Sequence, residues 1–283
     1  MLDNEVEKMK KIVLDIEDIQ KRAPILKSRL GAYIIKKVFR LMEMDKVNRI
    51  HEKHFHLRGS AYTSAMLNDP MMNVKYEIHN REVLDQLPEG AFITVSNHPI
   101  GSLDGIILID IFASIRPDFR VMVNEFLSHI TAMGDNFVSV VPKTGENQES
   151  NNQNINGIRA SLSQIRKGHP MGFFPAGAMS FYDRKKKAIR DLPWTHSVIR
   201  LIRKAGVPVI PVYFDCINSK FFYRLGRISW KIRLLRVAIE AFNKKGQTLH
   251  VYLGKPISSE KIKSFANDDD LAAYLYETTY STF

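Results

Sequence analysis

A chain of 283 residues with 45% apolar and 25% charged side chains can bury a large core, which excludes global disorder. Its 41 basic against 30 acidic residues leave a net charge of +11, favouring polyanionic partners: nucleic acid, an anionic lipid surface or an acidic carrier protein. The single cysteine, Cys216, excludes an intrachain disulfide and reads as a core residue in the apolar run Val212–Ile217 of a protein in a reducing compartment.

The N-terminus opens with Asp3, Glu5 and Glu7, the wrong chemistry for a secretory signal. No segment reaches the roughly 20 continuous apolar residues that span a bilayer; the longest candidate, Gly105–Ile115, contains Asp110. The expectation is therefore a cytoplasmic protein that is soluble or lies on a membrane without crossing it. Val6, Met9, Ile12, Val13, Ile16 and Ile19 predict a helix over Leu2–Arg22, broken by Pro24. Leu26, Leu30, Ile34, Val38 and Leu41 then recur at helical spacing among Lys27, Arg29, Lys36, Lys37 and Arg40. Such a basic amphipathic helix either packs on the core with a solvated cationic face or lies on a membrane surface. Residues 1–70 form an expected N-terminal helical segment, and residues 71–283 the main domain.

From Asn73 the rhythm alternates. Strands are predicted at Val74–Ile78, Ala91–Val95, Arg120–Val123, Phe137–Val141, Met171–Phe174, Val207–Phe214 and Leu249–Leu253. Between them fall a short helix at Val83–Leu87, an apolar helix ending near Ile115, and helices at Glu125–Ala132, up to Lys167, at Thr195–Lys204, near Lys261 and at Asp270–Glu277. The polar stretch Gly145–Asn156 reads as a loop. Pro208 and Pro211 place their strand at an edge or an irregular end. This alternation implies an α/β fold with a mixed, largely parallel sheet flanked by helices, carrying an N-terminal helical extension.

The chemistry-bearing stretch is Asn97-His98-Pro99-Ile100-Gly101-Ser102-Leu103-Asp104-Gly105. On one continuous helix a separation of six residues would turn the two side chains apart. They meet only if a helix starts between them. Pro99 holds His98 extended, Gly101 permits a tight turn, and Ser102 is a plausible N-cap. Asp104 then falls in the first helical turn, where the dipole favours its ionised form. An ionised carboxylate accepting from one imidazole nitrogen leaves the other free to take a proton from a hydroxyl. A second stretch, Phe173-Phe174-Pro175-Ala176-Gly177-Ala178-Met179-Ser180, runs from a buried strand into a close turn. In open α/β sheets ligands sit beyond the carboxyl ends of strands, so both loops can share one cleft. His51, His54 and His56 lie close in sequence, but with only Glu52 and no cysteine beside them they are not read as a metal site.

Asn-His-Pro-x-Gly-x-x-Asp-Gly followed by Phe-Pro-Ala-Gly resembles the glycerolipid acyltransferase family of the lysophosphatidic-acid type. The closest likeness is to its hemolysin-like branch, which includes O-acyltransferases of ornithine- and glycine-lipid synthesis. Gly206-Val207-Pro208-Val209-Ile210-Pro211-Val212 resembles the family's closing block, and the likeness extends from about Ile50 through Ile189-Arg190-Asp191-x-x-Trp194 to Gly254-Lys255-Pro256-Ile257.

The resemblance implies the glycerolipid acyltransferase fold, with His98 as general base oriented by Asp104. Asn97, Gly101, Lys143, Phe174, Pro175, Ala176, Gly177, Ser180 and Arg184 become the expected substrate-binding residues. Backbone N–H groups near Gly177 or Gly101 would support the oxyanion. The donor would be a fatty acyl thioester on acyl carrier protein or coenzyme A, with no cofactor and no metal. The partners would be that donor and a membrane lipid surface on the inner face of the cytoplasmic membrane, with no nucleic acid.

Two departures qualify the acceptor. Ala176 and Ala178 stand where acids are usual, and Gly134–Val138 offers no arginine. These argue for a lyso-aminolipid over glycerol 3-phosphate, with a lysophospholipid acceptor or a catalytically weakened lipid-binding scaffold as alternatives. Lys220–Ile239 carries six cations, no acid and many interfacial aromatics, which suits an anionic bilayer and, less well, single-stranded nucleic acid.

Overall fold

The structure is a computed structural model that describes residues 10–124, 127, 129–140 and 152–282. Among the described residues four helices come first: α1 (Ile16–Arg22), α2 (Arg29–Leu41), α3 (Met44–His54) and α4 (Gly59–Asn68). Then follow β1 (Lys75–His79), β2 (Ile93–Ser96), α5 (Ser102–Ala113), β3 (Arg120–Asn124), β4 (Phe137–Val140), α6 (Asn152–Arg166), β5 (Met171–Phe173) and the hairpin β6 (Phe181–Asp183) with β7 (Ala188–Arg190). The chain closes with α7 (His196–Ala205), β8 (Val209–Asp215), α8 (Lys220–Ile228), α9 (Trp230–Leu234), α10 (Val237–Phe242), β9 (Thr248–Leu253), α11 (Ser259–Lys263) and α12 (Asp268–Tyr280).

Seven strands form one sheet in the order β1-β9-β8-β2-β5-β3-β4. Every neighbouring pair is parallel except β8 with β9. The sheet is thus mixed and largely parallel, as the alternation implied. Each face is covered by apolar packing. On one side Phe112, Phe119, Val212, Phe214 and Val251 join residues of the helical N-terminus, among them Val13, Ile50, Tyr62 and Met66. On the other, Val95, Met171, Phe173 and Val209 pack with Trp194, Ile199, Ile202 and Leu275. Alternate residues of one strand feed opposite faces: Val209 goes to one cluster, Ile210 and Val212 to the other. Helix α5 is buried at every position from Leu103 to Ala113, which explains a helix that is apolar all round.

Several sequence expectations change. The strand with Pro211 is not at an edge: β8 lies between β9 and β2. Pro211 is tolerated there because it faces Gly254, one residue past the end of β9, and its carbonyl still accepts from Gly254 N–H at 2.8 Å. Only the reciprocal donor is missing. Of the helix expected over Leu2–Arg22, the described residues carry helix at Ile16–Arg22, capped by Asp15, whose carboxylate accepts from Asp18 N–H at 2.8 Å; residues 10–15 are irregular, and residues 2–9 lie outside the described residues. The helix expected over Glu125–Ala132 falls partly outside the described residues, and the described part leads into a 3₁₀ turn at Thr131–Asn136. The short helix expected at Val83–Leu87 is a 3₁₀ turn at Arg81–Gln86. Helix α6 begins at Asn152, inside the expected loop; residues 145–151 lie outside the described residues.

Helix α2 is amphipathic, but its inward stripe is Gly31, Ile35 and Phe39. The stripe that carries the helical repeat in the sequence faces solvent: Leu30 is 68% exposed and Leu41 69%, with Tyr33, Ile34 and Val38 between them. Gly31 is required on the inner side, since a Cβ there would lie 2.3 Å from the Leu26 carbonyl oxygen.

Candidate active site

β2 and β5 are adjacent parallel strands, with Val95 opposite Phe173. The His98 loop and the Phe174–Ser180 loop therefore leave neighbouring carboxyl ends on the same edge of the sheet. The loop after β8 joins them: Asn218 Nδ2 donates to the carbonyls of Pro99 and Ile100 at 3.1 and 3.2 Å.

The local geometry follows from a helix that starts between the two key residues. Gly101 takes φ +105°, and α5 begins at Ser102. Ser102 is therefore the first helical residue and not the N-cap; Gly101 holds the cap position because only a glycine readily adopts that φ, and a Cβ there would stand 2.5 Å from Met179 Sδ. Asp104 falls in the first turn and reaches back. Its Oδ2 accepts from Ile100 N–H at 3.0 Å, from Gly101 N–H at 2.9 Å and from His98 Nδ1 at 3.0 Å. Asp104 is fully buried, and its Oδ1 has no partner among the described residues. Three donors, two of them backbone N–H groups, thus converge on one carboxylate oxygen at the start of a helix. With Nδ1 carrying the donated hydrogen, Nε2 holds a lone pair. That nitrogen has no protein partner among the described residues, and the His98 side chain keeps 19% of its surface in solvent. The arrangement can accept a proton from a hydroxyl and stabilise the resulting imidazolium. The imidazole is further fixed by stacking on Phe174, with ring centroids 4.2 Å apart.

A second carboxylate holds the backbone of the same loop. Asp191, just past β7, accepts from His98 N–H at 3.1 and 3.3 Å. Ser180 Oγ donates to Asp191 Oδ1, and Ser180 N–H donates to the His98 carbonyl at 2.9 Å. His98 is thus clamped through both of its main-chain groups to the segment that follows β5. Asp191 is fully buried, and that burial pushes its carboxyl above the ordinary range; hydrogen bonding from Ser180 and the nearby His98 offset this in part. The Ile189-Arg190-Asp191-x-x-Trp194 stretch of the sequence points to no role for Asp191. Ser180, eleven residues away, is a near partner of its carboxylate, but the contact that ties Asp191 to the catalytic loop is with a backbone N–H 93 residues away.

The other expected substrate-binding residues divide. Phe174 and Gly101 stand beside His98 as described. Asn97 spends its amide on β8, donating to the Phe214 carbonyl at 3.0 Å and accepting from its N–H at 2.8 Å. Ser180 is taken up by Asp191. Pro175 and Ala176 are buried in the turn after β5, where Ala176 packs in the core with Trp194, and Gly177 is exposed with φ +66°. Arg184 lies in the exposed turn of the β6–β7 hairpin, and Lys143 lies outside the described residues. The two backbone groups expected to support an oxyanion are already used: Gly101 N–H by Asp104, and Gly177 N–H by the Phe174 carbonyl at 2.9 Å. A tight turn satisfies its own donors, so a glycine in the loop does not by itself present a free N–H.

The histidines at and just past the end of α3 are engaged separately. His51 Nδ1 pairs with Tyr62 Oη at 2.9 Å and its Nε2 with the Lys10 carbonyl at 3.2 Å, while His54 pairs with Asp69 at 3.1 Å. Cys216 is largely enclosed, and burial pushes its thiol up, consistent with an inert core position.

Of the six cations in Lys220–Ile239, Arg233 turns inward to the carbonyls of Ser180 and Met179 at 3.2 and 3.3 Å, and Arg236 to Glu240 at 3.5 Å. Lys220, Arg224, Arg227 and Lys231 stay exposed beside Phe221, Ile228, Trp230 and Ile232. No helix among the described residues is long and apolar enough to cross a membrane.

The sequence profile of a family described as "Acyltransferase" matches residues 18–281. The chain is 26% identical over 276 residues to a lyso-glycine lipid O-acyltransferase of Bacteroides thetaiotaomicron, covering 95% of this chain and 97% of that protein. It is 25% identical over 277 residues to a protein of the same description from Phocaeicola vulgatus, covering 95% and 94%. Among solved structures, the 1-acyl-sn-glycerophosphate (LPA) acyltransferase of Thermotoga maritima aligns over 93% of this chain and 95% of its own, at 16% identity and a TM-score of 0.48.

Proposed function

The chain belongs to the acyltransferase family and is an enzyme of acyl transfer, and on that premise we propose that it carries a fatty acyl group from a thioester to the hydroxyl of a lysolipid. The acceptor is a lyso-aminolipid of the glycine-lipid type, and the donor is an acyl chain on acyl carrier protein or coenzyme A. Two relatives described as lyso-glycine lipid O-acyltransferases, each matched over nearly its full length, support the acceptor. Ala176 and Ala178, in place of acids, support an acceptor other than glycerol 3-phosphate.

His98 Nε2 takes the hydroxyl proton as the oxygen attacks the thioester carbonyl carbon. Asp104 keeps the hydrogen on Nδ1 and balances the imidazolium charge from a carboxylate that is itself fully buried. The tetrahedral intermediate collapses, the carbon–sulfur bond breaks, and the thiolate recovers its proton from His98. Sulfur is a good leaving group, so the step calls for no metal or cofactor. Asp191 and Ser180 act as positioning residues that hold the main chain of His98.

The enzyme works on the inner face of the cytoplasmic membrane without spanning it. Support comes from two patches that mix exposed apolar and cationic side chains. Helix α2 offers Leu30, Tyr33, Ile34 and Leu41 beside Lys36, Lys37 and Arg40. Helices α8 and α9 offer Phe221, Ile228 and Trp230 beside Arg224, Arg227 and Lys231. Such surfaces combine apolar insertion with attraction to anionic lipid.

The carrying observation is the 3.0 Å contact between His98 Nδ1 and the buried Asp104, with Nε2 left unpaired among the described residues. The test incubates wild type and His98→Ala with acyl carrier protein and coenzyme A thioesters, offering lyso-glycine lipid, lyso-ornithine lipid and lysophosphatidic acid. The expected result is diacylated glycine lipid from the wild type and none from the variant. Transfer by His98→Ala at the wild-type rate overturns the catalytic assignment; preference for lysophosphatidic acid overturns the acceptor; binding of all acceptors without turnover would make the protein a lipid-binding scaffold.

A further inference from the structure

Outside the catalytic cleft the fold gathers a second set of ligating side chains, from segments too distant in sequence to be read together. Glu77 and His79 occupy alternate positions of β1 and so share one face of the sheet. His250 on β9 is the register partner of Glu77 and sits on the same face. The atoms converge. His79 Nε2 lies 3.0 Å from His250 Nδ1, Glu77 Oε2 lies 3.6 Å from that same nitrogen, and all three donor atoms fall within 4.8 Å of one another. The ring of His79 is held by stacking on Tyr252, with centroids 4.2 Å apart and planes 10° from parallel.

A hydrogen bond between the two imidazoles accounts for only one of these contacts. It leaves the Glu77 carboxylate directed at a nitrogen that already has a partner. A tetrahedral ion with bonds of about 2.0–2.1 Å places its ligand atoms roughly 3.3 Å apart, and the two distances at His250 Nδ1 fall on either side of that value. Two imidazoles and a carboxylate are the donor set that suits zinc, and three protein ligands leave a position for water. On the far side of His250, Asp215 of β8 is its register partner, placing a further carboxylate in the same row.

We propose that Glu77, His79 and His250 form a binding site for a divalent transition-metal ion, zinc by its donor set. The site fastens β1 to β9. β1 is a five-residue strand at the edge of the sheet, paired among the described residues with β9 alone. An ion bridging the two strands holds that edge in register and adds stability by mass action, since the unfolded chain keeps residues 79 and 250 far apart. This inference is independent of the acyl-transfer reading.

The experiment uses the full chain, free of any histidine tag and stripped with a chelator. Zinc is titrated calorimetrically, and cobalt is added as a spectroscopic probe. The expected result is one equivalent of zinc, a rise in thermal midpoint on zinc addition, and the visible bands of tetrahedral cobalt. His250→Ala and His79→Ala should weaken binding by no less than the roughly tenfold to hundredfold loss seen when a group merely supporting a ligand is removed. Glu77→Gln, at a position 61% exposed, keeps the fold and should weaken binding in the same direction. His169→Ala, a histidine on a different carboxylate, should leave binding unchanged. Absence of saturable zinc binding by the wild type, or binding of equal strength in Glu77→Gln and the two alanine variants, overturns the proposal.

Discussion

Replacing Asp104 with asparagine separates the charge of this side chain from its shape. All three donors, from His98, Ile100 and Gly101, converge on Oδ2, and Oδ1 has no partner among the described residues. An amide can therefore present its oxygen at the Oδ2 position, keep the hydrogen on His98 Nδ1 and preserve the loop. Only the negative charge is lost. A hydrogen bond to a charged acceptor exceeds a neutral one by about 1 kcal/mol. A carboxylate about 4 Å from a full imidazolium charge contributes up to about 4 kcal/mol at an effective dielectric constant near 20. Part of each effect is already present before the proton moves, so a loss of about 3–4 kcal/mol is expected in the transition state, a fall of roughly 10²–10³ in kcat. KM for either substrate should move little. The thermal midpoint should stay within about 5 °C of the wild type, because the amide removes a buried charge while adding an unmatched donor. The assay is single-turnover acyl transfer followed by lipid chromatography, with melting monitored in parallel. Chemistry retained within about threefold of the wild type would refute the argument, since that is less than 1 kcal/mol and leaves no place for the imidazolium charge.

Asp191→Asn should slow the chemical step by about tenfold and lower stability by about 1–3 kcal/mol, because an amide nitrogen must face a backbone or hydroxyl donor that now meets a carboxylate. The pH dependence has a definite sign. Burial raises the folded-state pKa of Asp191 above its unfolded value, so its contribution to stability is fully present below the unfolded value and lost as pH rises through the folded one. The midpoint difference between wild type and Asp191→Asn should therefore be largest in acid and shrink toward neutrality; a constant difference across that range would refute the assignment. Gly101→Ala should abolish activity and destabilise by about 2–3 kcal/mol, since its φ of +105° disfavours a side chain and the new methyl would meet Met179. Normal melting with full activity in that variant would show that the turn relaxes. A triple change of Leu30, Ile34 and Leu41 to serine should leave melting and turnover on detergent-dispersed substrate intact while reducing sedimentation with anionic vesicles about tenfold or more; unchanged sedimentation would remove α2 from the membrane interface.

Periodicity in the sequence is enough to predict the seven strands of the main sheet, because each carries its own hydrophobic repeat; the short β6–β7 hairpin and the helices α8–α10 do not follow from it. The pairing of His98 with Asp104 was equally local: Pro99 and Gly101 force the chain to turn before a helix begins, and the carboxylate in the first turn has nearby donors to meet. Tertiary structure alone decided the rest. Pro211 reads as an edge signal, yet its strand is interior, because what matters is that its missing N–H faces the end of a neighbour. The repeat of Leu30, Ile34 and Leu41 marks a helix but does not say which apolar stripe packs inward; Gly31, Ile35 and Phe39 do so because Leu26 approaches closely there. Asp191 reaches His98 from 93 residues away, and Glu77 with His79 meets His250 across a strand pair closed by 171 residues. Contacts of that range depend on sheet order and register, which arise from the packing of the whole core and leave no local trace in composition or spacing.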